Sequence, residues 1–296
     1  MKTSENKKKT ILITGGAGFI GSHLIKELLK DKENRVISLD NYFTGSEANH
    51  HKGAEYIRGE TKDIEKLITK KLDIIYHLGE YSRVLTSFDD ISLVWHLNVE
   101  GTFAVLEYCR KNKPRLIYAG SSTKFGEFDD KDDGKTQSPY AFFKATNTEL
   151  VNNYGKWYGL DYAITYFYNV YGGRELTDGK YATLIGIFSR KHKNKEPLTV
   201  ISPGTQLRAF THINDTVKGL LVVGERGKGD GYCIGNGKEY SVLEIAELFG
   251  GKIQMLPARK GDRNYSKIDP TKIKGLGWSP SIDVKDHIER FKKTIQ

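Results

Sequence analysis

Residues 10–24 read TILITGGAGFIGSHL. Ile11, Leu12 and Ile13 form a short apolar run of strand type. Gly15, Gly18 and Gly21 follow at three-residue intervals, and Phe19, Ile20, Leu24, Ile25, Leu28 and Leu29 then set out an apolar helical pattern. Strand, glycine turn and helix form the context in which glycine spacing carries physical meaning. Gly15 permits a tight turn, Gly18 lets a pyrophosphate approach the backbone, and Gly21 lets the helix pack closely on the strand. The helix N-terminus offers unpaired N–H groups and a partial positive charge to phosphates. The spacing is G-x-x-G-x-x-G rather than the G-x-G-x-x-G of the common dinucleotide fingerprint. Glycines at such a turn can also serve packing alone.

The next apolar run, RVISLD at residues 35–40, ends in an acid. Asp40 lies where the fingerprint expects an acceptor for the adenosine ribose hydroxyls, about twenty residues past the glycines. Its charge disfavours a 2′-phosphate, so NAD is expected over NADP.

Working outward, Glu55–Arg58, Asp73–Leu78, Arg115–Ala119 and Tyr162–Phe167 read as further strands. Ile64–Ile68, Ile91–Lys111 and Pro139–Tyr158 read as helices between them. Pro114 stops the second of these helices, Pro139 opens the third, and Gly159 caps it. This alternation predicts an α/β chain with a doubly wound parallel sheet of Rossmann type. Its ligands would bind at the carboxyl ends of the strands. From Tyr168 the chain becomes loop-rich, with helices expected at Asp215–Val223 and Val242–Leu248 and a strand at Gly231–Asn236. The expected organisation is a cofactor domain over residues 1–167 and a smaller, interleaved C-terminal substrate domain over 168–296. A segment at 209–236 would return to the first domain.

The chain has 296 residues, a net charge of +9 and two cysteines. Cys109 and Cys233 make no disulfide framework, so a reducing, cytoplasmic setting is the expectation. The histidines show no metal-binding spacing, and no metal is expected. No apolar run reaches bilayer length, so no membrane partner is expected. The lysines alternate with acids rather than forming a basic–aromatic block. The positive balance therefore suits a small anionic ligand better than a nucleic acid.

Tyr140 and Lys144 stand four apart, on one face of the expected helix, and of the seventeen tyrosines only Tyr140 has a lysine four residues later. Ser121, in the run GSST at 120–123, follows the fifth strand at the ligand edge. These residue types suit alcohol oxidation by NAD. A phenol that ordinarily ionises near pH 10 is made a better base by a neighbouring ammonium and a nicotinamide cation. Tyr140 would be the base, Lys144 its electrostatic tuner and a ribose ligand, and Ser121 a hydrogen-bond partner of the reacting oxygen.

With these residues in view, the chain resembles the extended short-chain dehydrogenase/reductase superfamily, and within it the NAD-dependent nucleotide-sugar epimerases and dehydratases typified by UDP-glucose 4-epimerase. TGGAGFIGSHL, LDN, YHLGE, NVEGT, GSSTKFG, YAFFK, YFYNVYGGR, GTQLRAF and PARKGD occur in that family's order. The resemblance places Gly15, Gly18, Phe19, Ile20, Asp40, Asn41, Glu60, Leu78 and Lys144 at the NAD. It places Asn169, Arg208, Arg259 and Asp262 at the nucleotide diphosphate sugar, with UDP as the expected nucleotide. It also implies a homodimer paired through the helices near 91–111 and 139–158, with Phe103, Tyr154 and Trp157 as candidate contacts.

The chain departs from the family pattern in four places. Glu60 stands where an Asp is usual, Gly79-Glu80 where two alanines are usual, Phe125 for a Tyr, and Ala209 for an Asp. The activity implied is C4 epimerisation of a nucleotide hexose. A 4,6-dehydratase or a 4-keto-sugar reductase is the alternative on the same scaffold. A non-catalytic NAD-binding regulator, or an RNA-associated protein, is the alternative from another class.

Overall fold

The computed structural model describes residues 8–125, 137–258 and 268–295. Its centre is a seven-stranded sheet. The strands β1 (Thr10–Thr14), β2 (Arg35–Asp40), β3 (Glu55–Arg58), β4 (Ile74–His77), β5 (Arg115–Ser121) and β6 (Tyr162–Phe167) are ordered β3-β2-β1-β4-β5-β6. Gly229–Ile234 joins the outer side of β6, and every pairing in the sheet is parallel. This is a Rossmann-like fold, and the strand order reverses between β1 and β4.

Side chains alternate between the two faces of the sheet. Ile11, Ile13, Val36, Ile74, Tyr76, Ile117 and Ala163 pack with Leu24, Ile25 and Leu28 of α1 (Phe19–Leu28) and with Val217, Leu220 and Val223 of the Ile213–Arg226 helix. Leu12, Ile37, Leu39, Ile75, Leu116, Tyr118, Ile164 and Tyr166 pack on the other face with Val105, Leu106 and Cys109, and with Val151 and Tyr154 of the Pro139–Tyr158 helix. Both faces are apolar because both are covered. A helix and a strand from beyond residue 209 thus return to this sheet.

The long helix after residue 90 is not uniform. Ile91–Val94 and Gly101–Asn112 are α-helical, and Trp95–Glu100 between them is wound as a π-helix. The Pro139–Tyr158 helix has Pro139 in its first turn, Ser138 accepting from the Ala141 N–H at 3.1 Å, and Gly159 as its left-handed cap. Within the stretch read as loop-rich, Leu184–Lys193 is a helix. Thr183 caps it, and Ile185 and Phe188 are buried. Ile253–Leu256 pairs in parallel with Leu198–Ile201, and Val284–Thr294 forms a C-terminal helix. Tyr171, Phe188, Val200, Phe249, Val284 and Ile288 belong to the separate apolar cluster that holds this part together.

Candidate active site

Gly15 ends β1 at φ +72°, a left-handed conformation that glycine adopts without cost. A Cβ there would lie 2.8 Å from the Gly79 Cα, and a Cβ on Gly79 would lie 2.8 Å from the Gly15 N. The departure Gly79 is thus the steric partner of Gly15, and the ends of β1 and β4 touch through two glycines. A Cβ on Gly21 would lie 2.2 Å from the Gly15 carbonyl oxygen. That position is the close helix–strand approach the spacing implied. Gly18 is the N-cap of α1 and carries no side-chain cap. The first-turn N–H groups, at Phe19 and Ile20, are therefore left for a ligand.

These residues open onto a cavity of about 530 Å³ that runs along the carboxyl ends of the strands. Asp40 sits at one end. Its Oδ2 accepts from the Ala17 N–H at 2.9 Å and its Oδ1 from the Tyr42 N–H at 2.7 Å. Burial raises the Asp40 carboxyl above its usual value, and the Tyr42 and Ala17 N–H groups oppose that rise. A carboxylate has about four acceptor sites, so lone pairs remain for ribose hydroxyls. Asn41 and Leu78 also line the cavity. Glu60 is held elsewhere: its carboxylate pairs with Lys62 at 3.1 Å and His96 at 3.0 Å, and the neighbouring Thr61 lines the cavity instead.

Ser121, Tyr140 and Lys144 all line the same cavity and are all buried. The fifth strand brings Ser121, and the Pro139–Tyr158 helix brings the other two. Ser121 Oγ accepts from the Thr123 Oγ1 at 2.9 Å. The Lys144 ammonium donates to Glu80 Oε2, to the Ala119 carbonyl oxygen and, at 3.1 Å, to the Tyr118 hydroxyl. Its three donors therefore rest on three protein acceptors. Burial pulls Lys144 below the ordinary lysine value, and the Glu80 carboxylate opposes that pull.

Behind this pair runs a buried polar chain that sequence reasoning did not find. The Thr14 hydroxyl oxygen accepts from the Leu78 and Gly79 N–H groups at 3.1 and 2.9 Å, so its own proton faces His77 Nδ1 at 2.7 Å. His77 Nε2 then donates to Thr102 Oγ1 at 3.0 Å, and Thr102 donates to Glu80 Oε1 at 2.8 Å. These bonds assign the Nε2–H tautomer to a histidine that burial keeps neutral, with its pKa pushed down to about 4. The Asn147 side-chain amide, at 3.1 Å, and the Tyr118 hydroxyl, at 3.2 Å, also donate to Glu80 Oε1. The π-helical stretch places Asn98 so that its amide clamps the Tyr81 backbone, accepting from N–H at 2.6 Å and donating to C=O at 3.1 Å.

Asn169 and Arg208 line the far part of the cavity. Asn169 Nδ2 donates to the Ala209 carbonyl oxygen at 3.0 Å, which ties the end of β6 to the segment carrying Arg208. Ala209 itself is fully buried in an apolar cluster. Phe125 packs edge-on against Tyr166, with centroids 4.8 Å apart. Arg83, which the sequence reading did not single out, also lines the cavity, and its Nε donates to the Tyr181 carbonyl oxygen at 2.8 Å. Tyr181 and Tyr81 both donate to Asp90 at 2.9 Å, joining the two parts of the chain beside the cavity. Arg259 and Asp262 lie outside the described residues.

The NAD dependent epimerase/dehydratase family model matches residues 11–235, a span that holds the glycine turn, Asp40, Ser121, Tyr140 and Lys144. The chain belongs to that family. It is 33% identical over 297 residues to a putative UDP-glucose 4-epimerase of Methanocaldococcus jannaschii, covering 95% of this chain and 96% of the relative. It is 30% identical to UDP-glucuronic acid decarboxylase 6 of Arabidopsis thaliana, covering 93% and 85%. Among solved structures, the UDP-glucuronic acid 4-epimerase of Bacillus cereus, in complex with UDP-glucuronic acid and NAD, superposes with a TM-score of 0.87. It is 27% identical, and the match covers 97% of this chain and 98% of that one. The cofactor of this chain is NAD, and the family comprises NAD-dependent epimerases, dehydratases and decarboxylases of nucleotide sugars. The residues present fit that cofactor: a glycine cradle that any Cβ would fill, an uncapped helix N-terminus and an acid at the end of β2. Among the described residues, no helix is long and apolar enough to cross a membrane.

Proposed function

We propose that this protein is a nucleotide-sugar 4-epimerase that inverts C4 of an NDP-hexose, with UDP as the nucleotide. NAD, when bound, supplies a hydride acceptor at C4 that gives the hydride back. Tyr140 takes the C4 hydroxyl proton and returns it, Ser121 hydrogen-bonds the reacting oxygen, and the Lys144 ammonium favours the phenolate. Asn169 and Arg208 hold the sugar and diphosphate, a guanidinium fork being suited to phosphate oxygens. Arg259 and Asp262 are proposed for the diphosphate and the nucleotide ribose. The nucleotide stays anchored while the sugar turns over, so binding energy far from C4 retains the oxidised sugar.

The observation that carries this reading is the state of the acids. Loss of water across C5 and C6 needs a base at C5 and an acid at the C6 hydroxyl. The positions after Ser121 hold Ser122 and Thr123. Among the described residues lining the cavity the acids are Asp40, at the NAD end, and Glu80. Both oxygens of Glu80 are engaged, by Lys144 on one side and by Thr102, Tyr118 and Asn147 on the other. Redox chemistry at C4 without dehydration is what this set supports.

Incubating the purified protein with a panel of nucleotide sugars and weighing the products tests the reading. An epimer of unchanged mass is expected. A product lighter by water or carbon dioxide would replace the reading with a dehydratase or a decarboxylase. An intact panel with NAD bound would favour a non-catalytic role.

The same reading includes a homodimer. Ile91, Trp95 and Phe103 on the first long helix, and Phe142 and Trp157 on the second, are about half exposed, at 49–60%. Tyr154 is buried, with its hydroxyl on Glu107 at 2.8 Å, so it supports the helix rather than the contact. Exposed large apolar groups on two neighbouring helices suit burial against a second copy.

A further inference from the structure

Glu80 replaces a small residue of the family pattern, and the function proposed above gives it no role. Its side chain is 3% exposed, and its carboxylate meets the ammonium of Lys144, whose side chain is 4% exposed. We propose that Glu80 is the counter-ion that keeps Lys144 an ammonium ion, and so acts as a positioning residue for the base Tyr140. The inference rests on the reading of Tyr140 as the general base.

An ammonium ion enclosed by protein loses its hydration, and it sheds its proton unless an opposite charge and hydrogen bonds replace the water. Two of the acceptors on Lys144, the Ala119 carbonyl and the Tyr118 hydroxyl, are neutral. Only Glu80 supplies charge among the three. The groups that face the pair from the surrounding elements are Tyr118 on β5, His77 on β4, and Tyr140 one helical turn away. Arg83 stands in the loop after β4. His77 is neutral through burial, and Tyr118 is held protonated by burial and by Glu80. Thr102 and Asn147 are uncharged donors to the carboxylate. Glu80 is thus the one anion facing Lys144 among these groups.

The consequence reaches Tyr140. A charged Lys144 favours the phenolate, and a neutral one does not. Glu80→Gln keeps the shape and removes the charge. Lys144 then loses its proton, and Tyr140 becomes harder to ionise.

The test reads the phenol directly. Phenolate absorbance of the purified, NAD-containing protein is followed from about pH 6 to about pH 10, and the Tyr140→Phe protein is subtracted to isolate Tyr140. Glu80→Gln is expected to raise the Tyr140 midpoint by about one pH unit or more, the effect of a nearby charge. Glu80→Asp, which keeps the charge, is expected to restore most of the original midpoint. The acid limb of kcat/KM should move the same way. If Glu80→Gln does not fold, Glu80→Ala removes the charge with the small residue usual at this place in the family pattern, and it should raise the midpoint likewise. A midpoint that stays or falls when Glu80 is replaced by Gln or Ala overturns the proposal. A protein without turnover on any nucleotide sugar would overturn the epimerase reading instead, and the titration would still report on Glu80.

Discussion

Gly15→Ala should damage both the fold and the cofactor site, and the structure supplies the size of the effect. At φ +72° a residue with a Cβ pays about 1–2 kcal/mol for the left-handed conformation. The new Cβ would also stand 2.8 Å from the Gly79 Cα and 3.0 Å from its N. Both are backbone atoms, and the Gly79 N–H is tied to Thr14 Oγ1 at 2.9 Å. The strain can be relieved only by parting the ends of β1 and β4, an overpacking cost of about 1–3 kcal/mol. Together the expected loss is about 2–5 kcal/mol, with NAD lost from the purified protein. Gly159→Ala is the control: its φ is +65°, and a Cβ there meets nothing within 4 Å. Only the conformational part, about 1–2 kcal/mol, should appear. Urea unfolding and the NAD released on denaturation measure both variants. If Gly15→Ala is no less stable than Gly159→Ala, or keeps its NAD in full, the Gly15–Gly79 contact is not what shapes the turn and the cofactor site.

Tyr140→Phe removes one oxygen and should lower turnover at least ~10²-fold while the protein folds and retains NAD; a variant keeping a tenth of the activity would remove Tyr140 as the base. His77 gives a pH dependence of stability. Its folded pKa, about 4, lies below the value of an unfolded histidine, about 6.5. The stability it contributes is therefore full above about pH 6.5 and is lost as pH falls towards about 4, up to about 3 kcal/mol. Urea unfolding at several pH values should show that part of the loss missing from His77→Gln, and equal slopes for both proteins would contradict it. Trp95→Glu combined with Phe142→Glu should turn a dimer into a monomer by light scattering; a wild-type protein that is monomeric at micromolar concentration would refute the paired helices.

The glycine turn, Asp40 and the Tyr140–Lys144 pair were legible because each is a local signal: a fixed spacing on one element, with a chemical reason for the residue type. Gly79 was visible only as a departure, since its reason is a contact with Gly15, sixty-four residues away. Glu80 was opaque for the same cause. Its partners Thr102, Tyr118, Lys144 and Asn147 come from three separate elements. Glu60 lines up with an acid of the family pattern, yet its carboxylate pairs with Lys62 and His96, and Thr61 beside it lines the cavity. The Leu184–Lys193 helix was hidden by the glycines and prolines around it, although Thr183 and the Leu184, Ile185, Phe188 spacing were readable. The C-terminal helix carries Val284, Ile288 and Phe291 at helical spacing among charges that dominate its composition. The π-helical turn leaves no mark in the apolar pattern, because it adds no residue type of its own.

Redox chemistry confined to C4 can be followed with a nucleotide hexose carrying deuterium at C4, turned over to equilibrium in ordinary water. The deuterium is expected to stay on C4 in both epimers, with no change of mass and, in a parallel run in heavy water, no label entering C5. Deuterium appearing at C6 with loss of water, or solvent label at C5, would contradict it.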